Sequence, residues 1–108
     1  MIGCRVGWIA LTVGIVGCTT HYVEPLSDKV ILYLKQPAAE QVFLACSLDG
    51  FTHRPAHRTR NGLWAAAVEP NREFRYFYIV DGKVVVPPCQ FREMDDWGGE
   101  NCIYVPRL

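Results

Sequence analysis

The run from residue 42 to residue 105 decides the fold: V-F-L-A-C-S-L-D-G-F (42–51), N-G-L-W-A-A-A-V (61–68), E-F-R-Y-F-Y-I-V-D-G-K (73–83) and D-D-W-G-G-E-N-C-I-Y-V (95–105). β-Branched and aromatic residues fill short stretches, and clusters of Gly, Pro, Asn and Asp separate them at the spacing of a small all-β sandwich. Within 73–80, Phe74, Tyr76, Tyr78 and Val80 alternate with Arg75, Phe77 and Ile79, the period of a strand with two distinct faces. Asp81-Gly82 then supplies the positive φ values of a two-residue type I′ hairpin. The expected strands are 29–34 (K-V-I-L-Y-L), 42–47, 62–68, 73–80, 83–86 and 102–105, with Trp64, Tyr76 and Tyr78 in the core. Pro55 argues against regular structure in the polar, basic stretch 52–60, and the segment from Pro87 to Glu100 is expected as a loop.

Outward from this core, the chain has room for one domain only. It has 108 residues, half of them apolar, and eleven basic residues balance eleven acidic ones. No long single-sign run points to nucleic acid. The N-terminus differs in kind: Arg5 precedes a continuous apolar stretch, residues 6–17, too short to span a bilayer comfortably. It ends Ile15-Val16-Gly17-Cys18, which resembles the bacterial lipobox, whose cysteine is lipidated before cleavage. Residues 1–17 therefore read as a lipoprotein signal peptide, Cys18 as the lipidated residue, 18–28 as a tether and 29–108 as the exported domain. Loss of residues 1–17 removes only Arg5 among charged residues, so membrane association would come from acyl chains rather than net charge. An uncleaved apolar anchor, or a translated stretch upstream of the true start, is the alternative reading of the same residues.

Cys46, Cys89 and Cys102 remain beyond Cys18, and three thiols cannot all pair internally. Cys46 alternates with Val42 and Leu44, so it reads as a small buried hydrophobe. Cys89 and Cys102 bracket the loop before the last strand, where a bridge would clamp it. Sequence separation alone leaves that pairing open.

In this order, four pieces resemble the family-48 carbohydrate-binding modules, which include the glycogen-binding domain of the AMP-activated protein kinase β subunit and the early-set domains of isoamylase and branching enzymes. V-F-L-A-C-S-L-D-G-F matches the family's V-x-L-x-G-x-F-N-x-W, and G-L-W matches G-x-W. E-F-R-Y-F-Y-I-V-D-G matches G-x-Y-x-Y-K-F-x-V-D-G, and G-G-E-N-C-I-Y-V matches G-x-x-N-x-x-x-V. The resemblance covers about three quarters of the chain and implies an immunoglobulin-like early-set β-sandwich. It also implies non-catalytic recognition of an α-glucan such as glycogen or starch, by stacking pyranose rings on aromatic side chains. The family's first tryptophan falls at Phe51, a smaller platform. Its second falls at Val84, which cannot stack, and its lysine at Phe77. Its loop asparagine falls at Asn101, its leucine at Trp97 and its threonine at Gly99. Phe51, Trp97, Asn101 and Lys83 are the candidate carbohydrate-binding residues on this resemblance, and the losses at Val84 and Phe77 equally suit a protein-interaction module on the same scaffold.

Other clusters carry less. His53 and His57 are four apart, but Pro55 between them opposes the helix that would make them joint metal ligands. Arg54, Arg58 and Arg60 form a local basic patch that would meet phosphate or lipid headgroups, or simply solvent. Glu93, Asp95, Asp96 and Glu100 crowd one loop without the opposed geometry of a glycosidase or the spacing of a calcium loop. No catalytic triad, phosphate loop or nucleotide fingerprint is present, and no metal or cofactor is expected. The expected protein is a lipid-anchored, exported binding module with a glycan, or alternatively a protein, as its partner.

Overall fold

Period-two alternation of apolar residues builds two antiparallel sheets whose apolar sides meet. The computed structural model describes residues 21–96 and 98–106. Ten strands run in chain order: β1 His21–Pro25, β2 Val30–Lys35, β3 Val42–Cys46, β4 His53–Pro55, β5 His57–Arg58, β6 Leu63–Val68, β7 Phe74–Val80, β8 Lys83–Val85, β9 Phe91–Met94 and β10 Glu100–Tyr104. The first sheet has the order β1-β2-β6-β5. The second has the order β4-β3-β7-β10-β9, with β8 paired to the far end of β7. The domain is an all-β sandwich.

The core is the meeting of the inward residues. Val30, Leu32 and Leu34 on β2 lie opposite Val68, Ala66 and Trp64 on β6. Val42, Leu44 and Cys46 on β3 lie opposite Val80, Tyr78 and Tyr76 on β7. Phe74, Leu32, Leu44 and the free Cys46 are fully buried, each large apolar side chain contributing about 1.5–3 kcal/mol of transfer free energy. Trp64 keeps its polar edge satisfied, its Nε1–H donating to the Gln36 carbonyl at 3.0 Å.

Three segments depart from the sequence reading. The stretch expected as a tether, 18–28, supplies the edge strand β1, because His21 and Val23 turn inward opposite Leu34 and Leu32 while Tyr22 and Glu24 face out. The stretch 52–60, expected to be irregular, holds β4 and β5. The chain changes sheets at buried Ala56, whose N–H donates to the Val42 carbonyl at 2.8 Å. Pro55 is tolerated because β4 is an edge strand, where a missing N–H costs no central ladder bond. The loop expected between Pro87 and Glu100 contains β9, again an edge. The expected signal peptide, residues 1–17, and Cys18 lie outside the described residues. No helix among the described residues is long and apolar enough to cross a membrane.

The turns follow their chemistry. Asp81 and Gly82 adopt φ of 49° and 85° between β7 and β8, as the hairpin requires. The Asp81 carboxylate also accepts the backbone N–H groups of Glu40 and Gln41 at 2.9 and 2.8 Å, fastening the hairpin to the β2–β3 connection. Cys89 and Cys102 are joined by a disulfide that ties the segment after β8 to β10.

Candidate functional site

The outer face of the second sheet is where the sequence-derived positions converge. Residues that pair across antiparallel strands share a face, so the register lays out three rows. Pro55, Phe43, Ile79 and Val84 form one row across β4, β3, β7 and β8. His53, Ala45 and Phe77 form the next. One further step of the β7–β10 register brings Asn101 level with Phe77, with Glu93 beyond it on β9. Arg75, Ile103 and Phe91 form the third.

Phe51 reaches this face from the turn after β3. Its ring stacks on that of Phe77 with centroids 5.7 Å apart and planes 18° from parallel. The backbone at Phe51 is held in the left-handed region, φ 64°, with its N–H donating to the Cys46 carbonyl at 2.8 Å. For a bulky residue that conformation costs on the order of 1 kcal/mol. At the other end of the face His53 lies 5.9 Å from the Phe43 ring. Asn101 is 8 % exposed and Ala45 fully buried, so the middle row is packed, whereas Val84 at the edge is 65 % exposed.

Charge on this face is paired. Arg75 donates from Nε to Glu93 at 3.0 Å and from Nη1 to Glu73 at 3.0 Å. The hydrogen bond to Glu93 and then its charge raise the guanidinium further above its ordinary range. On the other parity of β9 and β10, Glu100 is bridged to Arg92 at 2.9 Å, and in the turn between them Asp95 accepts the Gly99 N–H at 2.8 Å. Glu93, Asp95 and Glu100 of the acidic cluster are thus taken up in local pairing. Among the described residues no group of three His, Cys, Asp or Glu side chains is placed to hold a metal ion.

The expected residues therefore divide. Phe51 and Asn101 come together around Phe77, and Val84 lies on the same face. Lys83 does not join them: it pairs with Val80, whose parity is that of the buried residues, so the alternation that puts Val84 on the face turns Lys83 away. Trp97 lies outside the described residues. The basic patch is also reduced, because Arg54 is bound to Asp49 at 2.8 Å and to the Ala67 carbonyl at 3.1 Å. Arg58 donates to the Ala39 carbonyl at 2.5 Å and lies over the Trp64 ring, 4.7 Å from its centroid. His53 and His57 sit on different sheets.

Phe43 and Ile79 are among the residues of this face that the sequence reading left without a role, and Phe77 entered it only as the place of a lost lysine. The signal was present in the second, apolar face of the 73–80 alternation. A comparison with protein-family models finds no match, and none of the curated proteins matches the chain.

Proposed function

We propose that the chain is a non-catalytic binding module that takes an α-glucan or related glycan on the outer face of its second sheet. The observation that carries this reading is the Phe51–Phe77 stack. A bulky residue is kept in an unfavourable backbone conformation, and the result is an aromatic shelf, the Phe51 ring laid on that of Phe77, beside Asn101. Such a shelf suits the C–H face of a pyranose, with the largely buried Asn101 amide at its border. Arg75 is taken up by Glu93 and Glu73, so this cluster carries a net charge of −1 and offers no free cation to an anionic polysaccharide. The disulfide supports an exported setting, and Cys18 is proposed as the lipid-bearing residue that would hold the module at a bacterial membrane, in the outer membrane or at the cell surface.

A second reading, a protein partner on the same face, is favoured by the row Phe43, Ile79 and Val84, which offers apolar area and no hydrogen-bonding side chain. Affinity electrophoresis of the full chain in gels with and without glycogen separates the two. Retardation is expected for the wild type, with at least tenfold weaker retention, about 1.4 kcal/mol, for Phe51→Ala. Unchanged wild-type mobility removes the glucan reading and leaves the protein one.

A further inference from the structure

On the open side of the sandwich, between β1 and the β9–β10 edge, lies a groove of about 430 Å³. His21, the first residue of β1, forms part of its lining. The imidazole stacks on Tyr76 with centroids 5.7 Å apart, meets Tyr78 edge-on at 5.6 Å, and its Nε2 lies 3.0 Å from the Tyr78 hydroxyl, a hydrogen bond in either tautomer. These tyrosines sit in the core at 2 % and 1 % exposure. A residue on an edge strand has thus been drawn into the middle of β7.

We propose that β1 is an acid-released latch, in which protonation of His21 frees the strand from Tyr76 and Tyr78 while the rest of the sandwich stays folded. The geometry makes the event local. β1 pairs with β2 alone, and of its five residues only His21 and Val23 turn inward. The described groups around the ring offer a cation no counter-charge. From β7 they are the two tyrosine rings, and from β2 the apolar Leu34 opposite it. From β10 there is Tyr104, whose hydroxyl donates to Asn71 at 2.8 Å, and from the segment after β8 neutral Gln90 and the disulfide-bonded Cys89. On β1 itself, Glu24 accepts a hydrogen bond from the Tyr33 hydroxyl at 3.0 Å. Among the described residues no carboxylate, lysine or arginine lines the groove.

Burial accordingly lowers the His21 pKa to about 4. The sign follows from linkage. An undocked imidazole titrates near 6.5 and binds the proton that the docked one refuses, so docking is at full strength above pH 6.5 and weakens as pH falls towards 4. The shift corresponds to a change of up to about 300-fold in the docking equilibrium. Release would expose the groove floor and add five residues, about 17 Å of extended chain, between the sandwich and whatever precedes it.

Backbone hydrogen exchange of the full chain, corrected for intrinsic rates, tests this between pH 7 and pH 4. The expected result is that the amides bonded between β1 and β2 lose at least tenfold protection relative to those of β3 and β7, and that His21→Phe abolishes the difference. Equal protection of β1 at both pH values, a parallel loss in all strands, or the same loss in His21→Phe would overturn the latch. Should the variant fail to fold, the wild-type ring titration decides: a depressed midpoint that tracks β1 release supports it, and a midpoint near 6.5 with β1 still protected refutes it. No ligand enters the measurement, so its outcome is independent of the glycan proposal.

Discussion

Gly62→Ala is expected to destabilise the domain by about 3 kcal/mol or more, far beyond what an exposed turn glycine ordinarily costs. Asn61 and Gly62 both have positive φ, 62° and 72°, in the turn that feeds β6. An alanine there meets two penalties. The left-handed backbone costs on the order of 1 kcal/mol, and the added Cβ would lie 2.6 Å from both Cα and Cβ of Pro37. Neither atom is the end of a flexible side chain, so the β2–β3 connection itself must move. That connection is held by the Gln36 N–H donating to the Gly62 carbonyl at 2.9 Å and by Trp64 donating to the Gln36 carbonyl. Gly82→Ala is the control, since it shares a positive φ of 85° but has nothing within 4 Å of the new carbon. Thermal unfolding should show Gly62→Ala lowered by more than about 12 °C and Gly82→Ala by about a third of that. Equal shifts would mean that Pro37 yields freely.

Removing the disulfide is the second large effect. Cys89 and Cys102 are 13 residues apart, and a crosslink of that span restricts the unfolded chain by about 3 kcal/mol in the chain-entropy account. The bond also anchors β10, which carries Asn101 and continues the sheet from β7 to β9. Cys89→Ala/Cys102→Ala leaves no buried hydroxyl behind and should unfold at about 3 kcal/mol lower stability in denaturant. Reductant should then lower the wild type to a similar level and leave the double variant unchanged. A wild type indifferent to reductant would show that the bridge contributes nothing to folding.

Much of the sandwich was legible because strand and core obey one period. The expected strands 29–34, 42–47, 62–68, 73–80 and 83–86 each match an observed one to within one residue at either end, because alternation and turn residues agree there. The missed strands are all edges. H-Y-V-E-P, H-R-P, H-R and F-R-E-M carry a proline or charges because they bury one side or less, and they owe their conformation to a paired neighbouring strand. The last strand begins at Glu100 rather than 102 for the same reason: its first residues pair with β9.

The site was legible only in part. Phe51 and Asn101 were singled out through their place in a resembling pattern, but the contact that lays Phe51 on this face is the ring of Phe77, 26 positions along the chain and reached only through pairing of β3 with β7. Phe77 read as a lost lysine in one dimension and becomes half of an aromatic shelf in three. Lys83 illustrates the converse, since its chemistry was apt but a single step of strand alternation carries it away from Val84. The arginines of 52–60 looked like a surface patch because a sequence does not show that the Ala67 and Ala39 carbonyls await two of them.

The central claim, glycan recognition on the outer face of the second sheet, is tested most directly by backbone amide shift mapping during titration with a linear α-1,4-linked malto-oligosaccharide. The account expects the largest changes at Ala45, Phe51, Phe77, Val84 and Asn101, with Tyr33 and Ala65 on the outside of the first sheet unmoved. Shifts gathered on the first sheet, or none at millimolar sugar, would contradict it.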